Sequence, residues 1–182
     1  MEARKIIITG GATRIGAAIA KKLSGRNIEN LIQTNKSYKK ILAFGLGAGS
    51  PHKIWPTKFY AELGNLLKQQ FDLIVLIGDE KDNEFFSTFT KNYKGPLLNL
   101  AGKLDLLTTS AVLEKVQLFI GNDSGLGHIA SAVNVNTFTI FGPGEPHRYR
   151  PWGQKASWIQ DKQKEIKKIK PKDVYIKIVK LK

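Results

Sequence analysis

The chain has no cysteine among its 182 residues and only three histidines. The first absence excludes a disulfide framework and every thiolate metal site. His52, His128 and His147 lack the close pairing of metal-ligand motifs, so no metal site is expected. Long apolar runs are missing too: none approaches the roughly 20 residues that a membrane span needs. The apolar part of "MEARKIIITGG" is too short for a signal peptide and has no small-residue cleavage site after it. These absences fit a cytoplasmic protein. Acidic residues are also scarce, 15 Asp and Glu against 29 Lys and Arg, for a net charge of +14. Half of that excess sits at one end, because residues 162–182 carry nine lysines against Glu165 and Asp173. Such a tail is either a solvated surface or a patch drawn to an anionic membrane face; no specific nucleic acid is expected.

What is present is the composition of a globular domain, 42% hydrophobic and 24% charged with 17 glycines. Apolar runs of strand length alternate with segments of helical period, the pattern of an α/β fold with a parallel sheet and helices on both faces. "RKIIITG" reads as a strand and "RIGAAIAKKLSG" as a helix, with Ile15, Ile19 and Leu23 on one face. Residues 25–39 are polar and weakly periodic, a junction. From residue 41 the rhythm is regular. Strand 41–46 leads through a glycine-rich loop to helix 57–70, whose Phe59, Leu63, Leu66 and Leu67 form an apolar face. "DLIVLIG", "PLLNLAG", "VQLFIG" and "VNTFTIFG" are further strands, separated by helices near 81–92, at "DLLTTSAVLEK" and at "GHIASAV". A Pro/Gly loop, Gly142 to Gly153, precedes the short strand "ASWIQ". After Pro171 the chain reads as a helix capped by Asp173, although "YIKIVKLK" also alternates like an edge strand.

Two glycine-rich turns carry chemical signals. "TGGATRIG", Thr9 to Gly16, follows a strand and opens a helix, the setting in which backbone N–H groups meet a pyrophosphate. It resembles the cofactor turn of short-chain dehydrogenases, with Arg14 where many members have glycine, but the resemblance covers only residues 3–24. That family would need a Tyr-x-x-x-Lys pair, and none of the five tyrosines has a lysine four residues on. An NADP-binding reductase fragment is therefore the alternative reading, together with a basic surface-binding module. "GNDSG", Gly121 to Gly125, is not a Gly-x-Ser-x-Gly nucleophile elbow. It places Asp123 at a strand end and Ser124 and Gly125 at a helix start, so free N–H groups and the positive helix end face a crevice where a diphosphate fits. Gly125 and Gly127 leave room for a ligand against the backbone. A plain N-cap role for Asp123 needs no ligand.

"GLGAGSPHKIWPTKFYAEL", "VLIGDEKD", "LAGKLDLLTTSAVL" and "FIGNDSGLGHIASAVNVNTFTIFGPGEPHRYRPWG" come in the order and spacing of the heptosyltransferases, family nine of the glycosyltransferases, which this chain resembles over residues 41 to about 160. The resemblance implies the C-terminal, nucleotide-sugar-binding half of a GT-B fold. In that family ADP-heptose lies in the cleft and its sugar passes to a lipopolysaccharide core acceptor. It implies that Lys53 pairs with the donor's phosphates, with Ser50 adding a hydroxyl nearby, and that Glu80 holds the ribose hydroxyls. Each has a plain alternative: a surface lysine, and a charged helix start. His128 is either a donor contact or a neutral core histidine. Trp55 and Pro56 read as structural, and Arg148 and Arg150 as lining the cleft or solvated. The catalytic carboxylate and the acceptor site are expected in an N-terminal domain that the sequence replaces with residues 1–24 and the 25–39 junction, leaving 40–182 as the donor domain. No cofactor is required, and catalysis calls for an acceptor-domain partner or a homodimer that builds the cleft in trans; the chain alone is expected to be inactive.

Overall fold

The computed structural model describes residues 38–180. The strand and helix expected before residue 25, the Thr9–Gly16 turn with Arg14 and nearly all of the junction lie outside the described residues. Within them run β1 (Ile41–Gly45), α1 (Thr57–Leu67), β2 (Leu73–Ile77), α2 (Glu84–Asn92), β3 (Leu97–Asn99), α3 (Leu106–Glu114), β4 (Leu118–Asn122), α4 (Gly125–Ala132), β5 (Asn136–Phe141), α5 (Pro146–Tyr149), β6 (Ala156–Gln160) and α6 (Pro171–Val179). Short 3-10 turns at Pro51–Lys53, Glu80–Asn83 and Ile166–Lys168 complete the order.

The strands form one sheet in the order β3-β2-β1-β4-β5-β6, every neighbouring pair parallel. β1 and β2 are buried at all five positions, as continuous apolar runs covered on both faces must be. Alternate side chains feed two cores. Leu42 and Phe44 join Trp55, Tyr60, Leu63, Ile140 and Val174 on one face; Ile41 and Ala43 join Val75, Val112, Phe119 and Ala130 on the other. The strand order reverses between β1 and β4, and open α/β sheets leave a crevice at the carboxyl ends of the strands there. The register places Gly45 opposite Gly121 at that point. A Cβ on either would press on the Phe119 ring, at 2.9 and 2.7 Å, so only glycine lets this aromatic lie under the floor of the crevice.

Several element boundaries differ from the sequence expectation. α1 ends at Leu67 rather than residue 70, and Leu66, placed by periodicity on its apolar face, is 38% exposed. The Gly142–Gly153 loop contains the single turn α5, started by Pro146. The C-terminal segment is a helix, not an edge strand, because Pro171 sits at its start and Val174 and Ile178 bury against the core. Asp173 takes part in its N-terminal cap from inside the helix. It stands at the third helical position, where its carboxylate accepts the Lys170 backbone N–H at 3.0 Å.

Candidate functional site

The crevice between the ends of β1 and β4 is organised by Asn122, a fully buried amide at the last position of β4. Its Oδ1 accepts from the Trp55 backbone N–H at 2.9 Å and lies 3.0 Å from the Tyr60 hydroxyl. Its Nδ2 donates to the carbonyls of Leu46 at 2.8 Å and Gly47 at 3.2 Å. One side chain thus fixes the loop after β1, the turn carrying Lys53 and the start of α1. Trp55 locks the same turn from behind: it is fully buried, its Nε1 donates to the Ile169 carbonyl at 2.8 Å, and its ring meets Tyr60 edge-on.

On that support Lys53 Nζ donates to Asp123 Oδ2 at 2.7 Å. The ammonium is partly exposed and the carboxylate nearly buried, so the pair presents its positive member to solvent. Asp123 is not the N-cap of α4. Ser124 occupies that position, yet its side chain makes no capping bond and its Oγ is buried with no hydrogen-bond partner. A buried hydroxyl left unpaired costs free energy comparable to a lost hydrogen bond. At the N-terminus of α4, whose first N–H groups have no intrahelical acceptor, this orphan fits an anionic group supplied from outside. Nothing lies within 4 Å of a Cβ built on Gly125, so the space above the helix start is open. Gly144 closes the far side; a Cβ there would fall 2.8 Å from Asp123 Oδ2.

The comparisons with known proteins bear on the family and the fold. The model of glycosyltransferase family 9 (heptosyltransferase) matches residues 16–178. The chain belongs to that family. It is 32% identical over 140 residues to the lipooligosaccharide heptosyltransferase 2 of Haemophilus influenzae, covering 74% of this chain and 40% of that protein. The lipopolysaccharide heptosyltransferase 2 of Escherichia coli K12 is 32% identical over 129 residues, 68% of this chain and 37% of its own length. Among solved structures, E. coli ADP-heptose lps heptosyltransferase II superposes with a TM-score of 0.77 at 27% identity, over 85% of this chain and 49% of that one. E. coli heptosyltransferase WaaC with ADP shares the fold at a TM-score of 0.71 and 19% identity, over 84% and 48%. The chain therefore spans less than half the length of the family members it matches here. The described part has the Rossmann-like α/β fold found in the GT-B heptosyltransferases it superposes on.

Of the residues singled out by sequence, the structure brings Lys53, Asp123, Ser124 and Gly125 together, with Ser50 half-buried at the start of the 3-10 turn that carries Lys53. His128 lies exposed on α4, which removes the core-histidine reading. Gly127 does not line the opening. It is buried, and a Cβ there would meet Pro151 at 3.2 Å, so its smallness serves packing. Arg150 stacks its guanidinium over Trp158 at 5.3 Å and Arg148 lies over Tyr149 at 5.2 Å.

Glu80 is exposed, and its backbone lies against Gly102 beyond β3. The acid that turns back over the strand ends is Asp82. A Cβ on Gly47 or Gly78 would collide with its carboxylate, which also accepts the Asp79 backbone N–H at 3.1 Å. Burial, and then the negative charge of Asp79, hold the Asp82 carboxyl above the usual carboxylate range. Sequence reasoning passed over Asp82, although a signal existed: it stands four residues after Gly78, and one helical turn returns such a side chain over the strand end. Asn122 carried no comparable signal. Among the described residues no three His, Asp or Glu side chains gather as a metal ion would require. A cavity of about 790 Å³ opens at the opposite end of the sheet, by Gln117, Asn136 and Lys155, and none of Lys53, Asp82, Asp123 and Ser124 lines it.

Proposed function

We propose that this chain supplies the donor-binding half of a heptosyltransferase, holding an ADP-sugar such as ADP-heptose in the crevice at the ends of β1 and β4 for transfer of its sugar to a lipopolysaccharide core acceptor. The observation that carries this reading is the unpartnered Ser124 hydroxyl at the start of α4, beside the Lys53–Asp123 pair. The diphosphate lies against the Ser124 and Gly125 N–H groups, Lys53 adds a positive charge held in place by Asp123, and Ser50 adds a hydroxyl. Asp82, rather than Glu80, accepts the ribose hydroxyls, because its carboxylate covers the ends of β1 and β2. The neighbouring structures support the donor class, since WaaC is described with ADP and with ADP-2-deoxy-2-fluoro heptose.

In the transfer, an acceptor hydroxyl oxygen bonds to the anomeric carbon as the bond from that carbon to the β-phosphate oxygen breaks. The electron pair leaves with ADP. The proton passes to a carboxylate that a partner domain or a second copy contributes. The part played by this chain is electrostatic: the α4 N-terminus and Lys53 stabilise the negative charge that grows on the departing diphosphate. Residues 1–24 and 25–39 have no cofactor role in this scheme, residues 40–182 form the donor domain, and the protein works in the cytoplasm.

Calorimetric titration tests it. The full chain should bind ADP and not NADPH, and Lys53→Ala should weaken ADP binding at least tenfold, the loss of about 1.4 kcal/mol. Binding of NADPH alone would transfer the ligand role to the Thr9–Gly16 turn and end this reading.

A further inference from the structure

The two edge strands of the sheet are protected differently. β3 is three residues long, and Pro96 stands directly before it. Shortness and a proline are two of the devices that keep an edge from pairing with another chain. β6 has five residues, with no proline and no charge among them, and among the described residues it pairs with β5 alone. All five positions are half-buried. The Thr137 N–H donates to the Lys155 carbonyl at 3.0 Å, so the odd-numbered residues of β6 turn their backbone groups toward β5. The Ala156 N–H is taken by the Gly153 carbonyl at 3.3 Å. The backbone N–H and C=O groups of Trp158 and Gln160 therefore face outward from the edge.

The ends of β6 carry opposite charges. Lys155 stands just before the strand and Asp161 just after it, and the alternation of side chains puts both on one face. In an antiparallel pairing of two β6 strands about a twofold axis at Trp158, each Lys155 falls opposite the partner's Asp161, and Trp158 meets its own copy as a hydrogen-bonded pair. Parallel pairing in register would set lysine against lysine. Unlike charges and aromatic rings are favourable cross-strand pairs, and like charges directly opposite are destabilising. Asp161 is held ready, since its Oδ2 accepts the Gln163 N–H at 2.8 Å. Trp152 is a second exposed feature of the same edge. It is 91% exposed although its backbone is fixed, with Pro151 buried before it and its own carbonyl accepting from the Ser131 hydroxyl. The antiparallel twofold sets the start of one β6 beside the end of the other, which brings the partner's Lys162 and Lys164 toward this ring.

We propose that two copies of this chain pair along β6, antiparallel about a twofold axis at Trp158, and join their sheets into one. The pairing closes on itself, because it engages both β6 strands and leaves only the two short β3 edges outside. Its consequence for the crevice is one of direction. The carboxyl ends of the strands in the two copies point opposite ways, so the two crevices open at opposite ends of the joined sheet. A second copy paired in this way adds no residue to the crevice, and the carboxylate that transfer requires falls to a partner domain. The inference does not depend on the donor reading, which uses Lys53, Asp82, Asp123 and Ser124 and none of the residues of this edge.

Sedimentation equilibrium of the full chain tests the pairing. The chain should form dimers and nothing larger. Lys155→Glu should weaken dimerisation about tenfold, because two attractive cross-strand pairs become repulsive, and Asp161→Lys should do the same. The double variant Lys155→Glu/Asp161→Lys should return to within about threefold of the parent, since the swapped charges meet again. Asp161 also braces its own turn, so circular dichroism checks that the variants fold, and a cross-link supplies a second readout. The chain has no cysteine, and only a residue on the axis meets its own copy. Trp158→Cys should therefore oxidise to a covalent dimer, while Gln154→Cys, exposed but off the axis, should not. Any of these results would overturn the proposal: a chain that stays monomeric up to about 1 mM, assemblies larger than a dimer, single charge variants that dimerise like the parent, a folded double variant that is not rescued, or cross-linking by Gln154→Cys in preference to Trp158→Cys.

Discussion

Asn122 joins more of the site than any ligand-facing residue does. Four buried hydrogen bonds converge on its amide, and truncation leaves the Trp55 N–H and the Leu46 and Gly47 carbonyls without partners. Each unpaired group costs about 1–3 kcal/mol, so Asn122→Ala should lose about 3 kcal/mol in urea unfolding; a loss near zero would mean that the loops hold one another without it. Asp82 makes a prediction of the opposite sign. Because burial and Asp79 raise its folded-state pKa, folding takes up protons between the unfolded value, about 4, and the raised one. Its contribution is most favourable below the unfolded value and fades as pH rises through the folded value. Asp82→Asn should therefore be at least as stable as the parent at neutral pH, with the advantage shrinking on acidification, while its ADP affinity falls. A variant both less stable at neutral pH and equal in affinity would return Asp82 to a purely structural role.

At the level of elements, the alternation of apolar runs was enough to locate the strands β1 to β6, because buried parallel strands are nearly continuous apolar segments; their order in the sheet, with β1 and β4 side by side, was not legible. The end of α1 and the exposed Leu66 were not legible, since periodicity cannot tell which turn of a helix runs past its neighbour. At the site, "GNDSG" and Lys53 were legible because a helix start and a loop lysine are local features. Asn122 and Asp82 were missed because their roles arise only where β1, β2 and β4 come together. The start of β1 offers a test of such long-range ties. Asp72, just ahead of β2, accepts the backbone N–H groups of Lys40 at 2.9 Å and Lys39 at 3.0 Å. Those donors, Lys40 first, hold its carboxyl below the usual range. Its stabilising effect is present above the unfolded pKa of about 4 and is lost as pH falls through the lower folded value. In thermal melts Asp72→Asn should lower Tm at neutral pH, and the gap to the parent should close in acid; a constant gap would assign the effect to something other than this charge.

For the molecule as a whole, the proposed donor crevice lies at the carboxyl ends of the strands, where the order of one sheet reverses. A ligand that binds only the folded chain raises its stability by about 2.7 kcal/mol at a hundredfold excess over Kd. For a chain of this size that corresponds to a rise in Tm of about 5–10 °C with ADP, which Lys53→Ala should largely remove. Whether a diphosphate nucleotide sits between the end of β1 and the start of α4 is decided by titrating ADP into the isotopically labelled chain and following backbone amide resonances. The largest shifts should fall on Gly47 to Lys53, on Asp79 to Asp82 and on Ser124 and Gly125. Shifts centred on Thr9 to Gly16, or on Gln117, Asn136 and Lys155 around the cavity at the far end of the sheet, would contradict it.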